Sequence, residues 1–430
     1  MSQAINIIFA LLFIYWCFKL LFTPAMTWSL GIVGSTSISV TMGVYLGMGS
    51  GVSLAWLGLI VASAFLLKMR YGMRFFEGTW EEWAMLALAF AVFVSYYYTP
   101  AKEYGNYKMM LFLGSGVPIF FFSRMVGRTL SGLREAFASA ITPAFVIVCL
   151  FSLSLVMGKG MDSGRFGGGM SIMYGLWIAT CLGLFFHAFY KPGFFHQMLA
   201  IVGITAGMLT VPFTGSRSAF LAAFLSVLFA YASLKNALKT IAVGVIVLFV
   251  ATVALQVVGG GYTASRLKNI STSALEESGR TRMYSCAFQG FLENPLLGTG
   301  AGGFSKILPR ESWDVRLRVY PHNLWLEIAC EQGLLGLVPL LFLTVMGFKH
   351  LFWIRKCVDR SFAIPIQVIF WVSFMQSMFT ADLPMARGMF AILGLMAGLH
   401  QCFREEEAKL QFAEEPALDI DMLQSYPQHG

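Results

Sequence analysis

The stretch Pro321–Gly347, PHNLWLEIACEQGLLGLVPLLFLTVMG, decides how the chain is read. From residue 323 to residue 347 it is a nearly unbroken apolar run, long enough to cross a bilayer as a helix. Yet it opens on His322 and Asn323 and carries Glu327 and Glu331 in its first half. At the helical rise these carboxylates lie roughly 8 and 14 Å into the helix. Ionisable groups at such depth are costly, and they are usually functional or paired. Their partners do not follow from the sequence.

Similar apolar runs recur on both sides. Spans are expected near 5–22, 28–47, 52–68, 81–98, 109–123, 136–157, 172–190, 196–212, 217–233, 239–258, 323–347, 364–380 and 386–402. The chain therefore reads as an all-α polytopic integral membrane protein of about 12–13 transmembrane helices. Composition agrees, with 57% apolar and only 12% charged residues, against about 25% charged in soluble proteins. The first run lacks a basic leader and a small-residue cleavage site, and it reads as a retained helix. The seven cysteines show no CxxC spacing, so no disulfide framework is expected. The expected organisation is an N-terminal helix bundle (1–258), a large loop region (259–321), C-terminal transmembrane helices (322–402) and an acidic tail (403–430).

Helix parity puts the basic loops Lys68–Arg74, Arg124–Arg134, Lys235–Lys239 and Lys349–Arg360 on one side. The positive-inside rule makes that side cytoplasmic. Segments 99–108, 158–171, 213–217 and 259–321 then face outward. They hold an unexpected set of cations: Arg165, Arg217, Arg280, Arg282, Arg310, Arg316 and Arg318. Long translocated loops escape the charge rule, but Arg217 sits in the tight turn of PFTGSRSAFLAAF. Two readings stay open there. The first helical turn, with Ser216 and Ser218, forms a site for an external anion, or Arg217 snorkels to lipid headgroups.

Arg165 lies in a Gly-rich loop, MDSGRFGGGM, and Arg280 in SGRTRMY, upstream of FLENPLLGTGAGGF. The last segment has turn chemistry without a Walker or Rossmann context. Several guanidiniums without matching carboxylates imply an anionic partner, and guanidinium suits bidentate phosphate contact. A helix starting near Pro321 would place Leu326, Ala329, Gly333 and Gly336 on the His322 face, and Glu327 and Glu331 on roughly the opposite one. Small residues on that face would admit a neighbouring helix. His322 alone of six histidines falls at the outer boundary. A lone histidine is more often structural than catalytic, and no second outer histidine offers a zinc site.

These motifs together resemble the O-antigen ligase and O-antigen polymerase superfamily of bacterial envelope glycan transferases. His322-Asn323, followed after nine residues by Gly333-x-x-Gly336, fits the H-[NSQ]-x9-G-x-x-[GTY] signature associated with the ligases. The SGR ending at Arg280, the downstream NPLLGTGAGGF and the TGSRSAF turn are similar to family segments, and SGRFGG around Arg165 is a looser likeness. The resemblance covers about residues 200–345.

It implies an inverting, metal-independent glycosyltransferase in the bacterial inner membrane, with its active site facing the periplasm. The donor would be a glycan on undecaprenyl diphosphate. The acceptor would be lipid A–core for a ligase, which the full motif favours, or a second lipid-linked glycan for an O-antigen or exopolysaccharide polymerase. His322 would be the catalytic histidine, and Arg217, Arg280 and Arg165 would bind the diphosphate. Asn323, Gly333 and Gly336 would be motif residues with structural roles. No cofactor and no nucleic-acid partner are expected. A lipid-linked glycan flippase is the reading from another class; it predicts cations lining a cavity through several spans.

Overall fold

A computed structural model of the protein describes residues 18–19, 21–29, 51–156, 168–213, 217–231, 279–308 and 319–414. Among them there is no strand. In chain order the helices are α1 (Met26–Ser29), α2 (Gly51–Tyr71), α3 (Trp80–Tyr98), α4 (Lys102–Leu111) and α5 (Val117–Gly127). Then come α6 (Leu130–Val156), α7 (Gly168–Tyr190), α8 (Phe194–Phe213), α9 (Arg217–Tyr231) and α10 (Gly279–Glu293). The short α11 (Phe304–Ile307) precedes α12 (Leu324–Cys357), α13 (Arg360–Phe379) and α14 (Arg387–Glu414). A π-helical turn, Phe112–Gly116, joins α4 to α5, so Lys102–Gly127 runs as one element. That element, Phe194–Val211, α12 and α13 are each long and apolar enough to cross a membrane. This is an all-α, multi-pass membrane protein.

The local chemistry of the starts and contacts explains the arrangement. Thr79 and Glu82 cap α3 reciprocally in a capping box, which satisfies two of the free N–H groups of the first turn. Asp359 caps α13 by accepting from Ser361 N at 2.8 Å. Helices α5 and α14 pack backbone to backbone: Gly394 lies against Phe120 O and Gly398 against Arg124 O. A side chain at either position would hold the helices apart, and lipid supplies no hydrophobic force to compensate for lost contact. Buried residues of α12, α13 and α14 form much of the core, with α7 and α9 packed on α13.

Three of the basic loops gather at one end of the bundle. Arg124 lies 2.7 Å from Glu82 and donates to Arg74 O at 2.9 Å. Arg128 bridges Glu77 at 3.0 Å and Glu405 at 2.9 Å. His350, near the far end of α12, pairs with Glu81 at 2.8 Å. Lys235–Lys239 and the expected spans at 5–22, 28–47 and 239–258 lie wholly or mostly outside the described residues.

Within the expected loop region 259–321, α10 forms over Gly279–Glu293. One expectation needs correction. The span expected at 109–123 begins earlier, at Lys102, and so places Lys108 on the buried face of a helix.

Candidate active site

The site forms where α10, α12 and the α13–α14 connection meet. Helix α12 is kinked at Gly333, whose φ of 62° and ψ of −154° lie far from helical values. The NPLLGTG loop (294–300) inserts there. Thr299 N donates to Cys330 O at 2.8 Å and Gly300 N to Glu331 O at 2.9 Å. In return Leu334 N donates to Pro295 O at 2.8 Å and Leu335 N to Leu296 O at 3.2 Å. The backbone groups released by the kink thus find new partners, as buried peptide groups must. A Cβ on Gly333 would come within 2.5 Å of Leu296 C, and one on Gly298 (φ 70°) within 2.5 Å of Glu331 C. The close neighbour at Gly333 is therefore a loop backbone, where a packed helix had been expected.

This docking sets the reach of α10. Its apolar face, with Met283 and Ala287, packs with Phe304, Leu308, Cys330 and Leu326. From Glu293 back to Arg280 is roughly 20 Å of helix, and from Gly333 back to Leu324 roughly 14 Å. The N-terminus of α10 consequently arrives beside the start of α12, and Arg280 acts electrostatically on His322 there. Among the described residues no carboxylate pairs with Arg280.

His322 precedes the helix rather than belonging to it. Asn323 is the N-cap, its Oδ1 accepting from Leu326 N at 3.0 Å. His322 itself has φ 58°, a left-handed conformation that costs a non-glycine residue about 1–3 kcal/mol and persists only where its surroundings impose it. The ring packs against Tyr320 at 4.3 Å between centroids. Nδ1 lies 3.3 Å from Thr380 O. A carbonyl can only accept, so Nδ1 carries the proton and the Nε2 lone pair is left open. Burial pushes the imidazole below its ordinary pKa; the Thr380 carbonyl opposes this and Arg280 reinforces it. The ring is therefore neutral at neutral pH, with a basic nitrogen available.

Thr380 ties in a third segment. Its hydroxyl donates to Ser218 Oγ at 3.1 Å, in the first turn of α9. Arg217 begins that helix, but its side chain, like Arg165, Arg310, Arg316 and Arg318, lies outside the described residues. The structure thus brings together His322, Arg280 and the start of α9. Gly336 sits one turn beyond the kink, where a Cβ would come within 2.5 Å of Gln332 Cβ.

The partners of the two glutamates are now visible. Lys108 Nζ lies 2.6 Å from an oxygen of Glu327 and 2.6 Å from one of Glu331, with all three side chains 0–1% exposed. Glu327 Oε2 also accepts from Leu383 N at 3.2 Å. Glu327 and His322 therefore address the same connection, Thr380–Ala386. Because three non-helical residues precede α12, a helical wheel drawn from Pro321 gives the wrong relation between them. Asp382 joins this neighbourhood. Burial pushes its carboxyl up, while Lys108 and a hydrogen bond from Met385 N pull it down.

Sequence reading missed Lys108, Thr380 and Asp382. Lys108 carried a usable signal, a cation next to an apolar run in a chain with two buried carboxylates. Thr380 acts through its backbone carbonyl, which no residue pattern marks.

Fold and site define a class: a multi-pass α-helical membrane protein with a neutral histidine and, among the described residues, an arginine without a carboxylate partner beside it. Residues 199–341, about a third of the chain, match the family model described as O-antigen ligase. The match spans Arg217, Arg280, His322, Asn323, Gly333 and Gly336, and it supports a glycan transferase of the O-antigen ligase and polymerase superfamily. It stops before Thr380 and excludes Lys108 and Arg165. No curated protein matches the chain.

Proposed function

We propose that the protein transfers a glycan from undecaprenyl diphosphate to a sugar hydroxyl at the periplasmic face of the inner membrane, as an O-antigen ligase acting on lipid A–core. The observation that carries this reading is Arg280 beside a half-buried, neutral His322 whose Nδ1 is engaged and whose Nε2 is not. His322 Nε2 takes the proton from the acceptor hydroxyl. The hydroxyl oxygen bonds to the anomeric carbon, and the bond from that carbon to the diphosphate oxygen breaks with inversion. The diphosphate leaves with the electron pair, stabilised by Arg280 and, in this scheme, by Arg217 and Arg165. A leaving group of this kind needs positive charge more than a proton, and a guanidinium supplies it bidentately.

The choice of face rests on the distribution of charge. His322 and His350 are separated by roughly 40 Å of helix, about the full thickness of a bilayer with its headgroups. Three of the four basic segments gather at the His350 end, which the positive-inside rule assigns to the cytoplasm. The ligase reading is favoured over polymerase by the full His322-Asn323-x9-Gly333-x-x-Gly336 motif, since the family match supports both branches alike.

The test supplies purified protein with an undecaprenyl-diphosphate-linked glycan and either lipid A–core or a second lipid-linked repeat. Transfer to the core supports the ligase. A lengthened lipid-linked glycan makes the protein a polymerase. Donor crossing reconstituted vesicles with no glycosidic bond formed would replace the enzyme by a transporter.

A further inference from the structure

The α13–α14 connection is short but unusually constrained. Thr380 N and Ala381 N both donate to Gln376 O, at 2.9 and 2.8 Å, which ends α13. Asp382 Oδ1 accepts from Met385 N at 3.0 Å, and Asp382 O accepts from Ala386 N at 3.0 Å. Arg387 Nε donates to Pro384 O at 2.9 Å. These contacts fold the connection on itself. Two others fix it in place: the Thr380 hydroxyl on Ser218, and Leu383 N on the Glu327 carboxylate. The second comes from a side chain that Lys108 holds from the other side, sharing its ammonium with Glu331. Neither glutamate nor the lysine touches His322, and the transfer chemistry uses none of them.

What the connection delivers is the Thr380 carbonyl. That oxygen is the acceptor for His322 Nδ1, so its position decides which ring nitrogen holds the proton. Neutral imidazole has two tautomers, and only the Nδ1–H form presents a basic Nε2. A chain of contacts therefore runs from Lys108 through Glu327, Leu383 N and the connection to Thr380 O and the ring. It joins helix α4 to the histidine without any of its charges reaching the reacting atoms.

We infer that Glu327, clamped by Lys108, is a positioning residue: it anchors the Thr380–Ala386 connection so that the Thr380 carbonyl holds His322 in the Nδ1–H tautomer. The inference rests on the proposed role of His322 as base. It also extends that role, because it assigns a purpose to charges buried where charges are expensive. Removing Lys108 alone would strand the Glu327 and Glu331 carboxylates, so the informative variants are made with the lysine and both glutamates neutral, leaving Asp382 the same in each.

In Lys108→Met/Glu331→Gln protein, Glu327→Gln keeps an oxygen to accept from Leu383 N, and Glu327→Leu does not. The tautomer is read by 15N NMR of histidine-labelled full-length protein without donor, with the His322 signals identified by their loss in His322→Asn. The Gln form is expected to show a single Nδ1–H tautomer and the Leu form a mixture. In the transfer assay the Gln form should turn over about tenfold faster than the Leu form, with donor KM agreeing within about twofold. A merely structural role would lower the folded fraction of the Leu form without changing its tautomer. Identical tautomers in the two forms overturn the inference, whatever the activities. If His322→Asn transfers glycan at the wild-type rate, the base assignment fails instead; the tautomer comparison needs no donor and is decided separately.

Discussion

One histidine, His322, lies just before helix α12 and another, His350, near its far end, and the two are held in opposite ways. His350 Nε2 meets the Glu81 carboxylate at 2.8 Å, and its ring lies 4.6 Å from that of His400. Its neighbours are acidic and aromatic, and the contact closes within the fold. His322 is held by a backbone carbonyl, in a strained left-handed conformation, with Arg280 as its charged neighbour. A carboxylate favours imidazolium, whereas a guanidinium disfavours it. One histidine has its Nε2 engaged by a carboxylate within the fold, the other keeps its Nε2 open. The contrast teaches that burial of a histidine says little about its role; the sign of the neighbouring charge and the nitrogen left open say more.

The sharpest way to break this comparison is to remove each histidine. His322→Asn should lower kcat for transfer by about 10²–10⁴-fold, the range for loss of a general base, while its tolerance of left-handed backbone preserves the fold. His350→Gln should leave kcat within about threefold. Equal losses at both ends would erase the distinction. Arg280→Gln tests the charge that separates the two sites, and kcat/KM should fall by about 10²–10³-fold.

The same variant has a pH signature. The base must be neutral, so the activity of the free enzyme falls as pH drops through the His322 pKa. Burial and Arg280 hold that pKa below 6.5; removing the cation raises it, and the acid limb of kcat/KM should move to higher pH. An unmoved limb would mean that another group titrates. A smaller effect is expected from Gly333→Ala, which forces a side chain into the Leu296 backbone at positive φ and should cost about 2–3 kcal/mol of stability in a denaturant titration. Smallest is Ser218→Ala. It removes the acceptor of the Thr380 hydroxyl, worth about 1 kcal/mol, and should lower kcat no more than about fivefold.

The long apolar helices were legible because hydropathy alone marks them, and α6 to α9 and α13 lie close to the runs that predict them, while α12 starts where expected and runs ten residues further, to Cys357. Helix α10 was not legible as such. GRTRMYSCAFQGFLE is too polar for a span, and its apolar face becomes meaningful only against α12. At the site, His322 and Arg280 stand out by charge and position. The Lys108 clamp does not, since Lys108 and Glu331 lie 223 residues apart and only the tertiary fold, in which the long Lys108 side chain reaches across to α12, brings them together. The kink hid the rest. Helical projection from Pro321 assumes regular backbone, but His322 and Gly333 both have positive φ.

The central claim is that His322 serves as the base of glycan transfer. It is tested most directly by the initial rate of purified His322→Asn protein with saturating undecaprenyl-diphosphate-linked glycan and acceptor, beside wild type of equal thermal stability. The account predicts a rate at least about 100-fold lower. A rate within about threefold of wild type would contradict it.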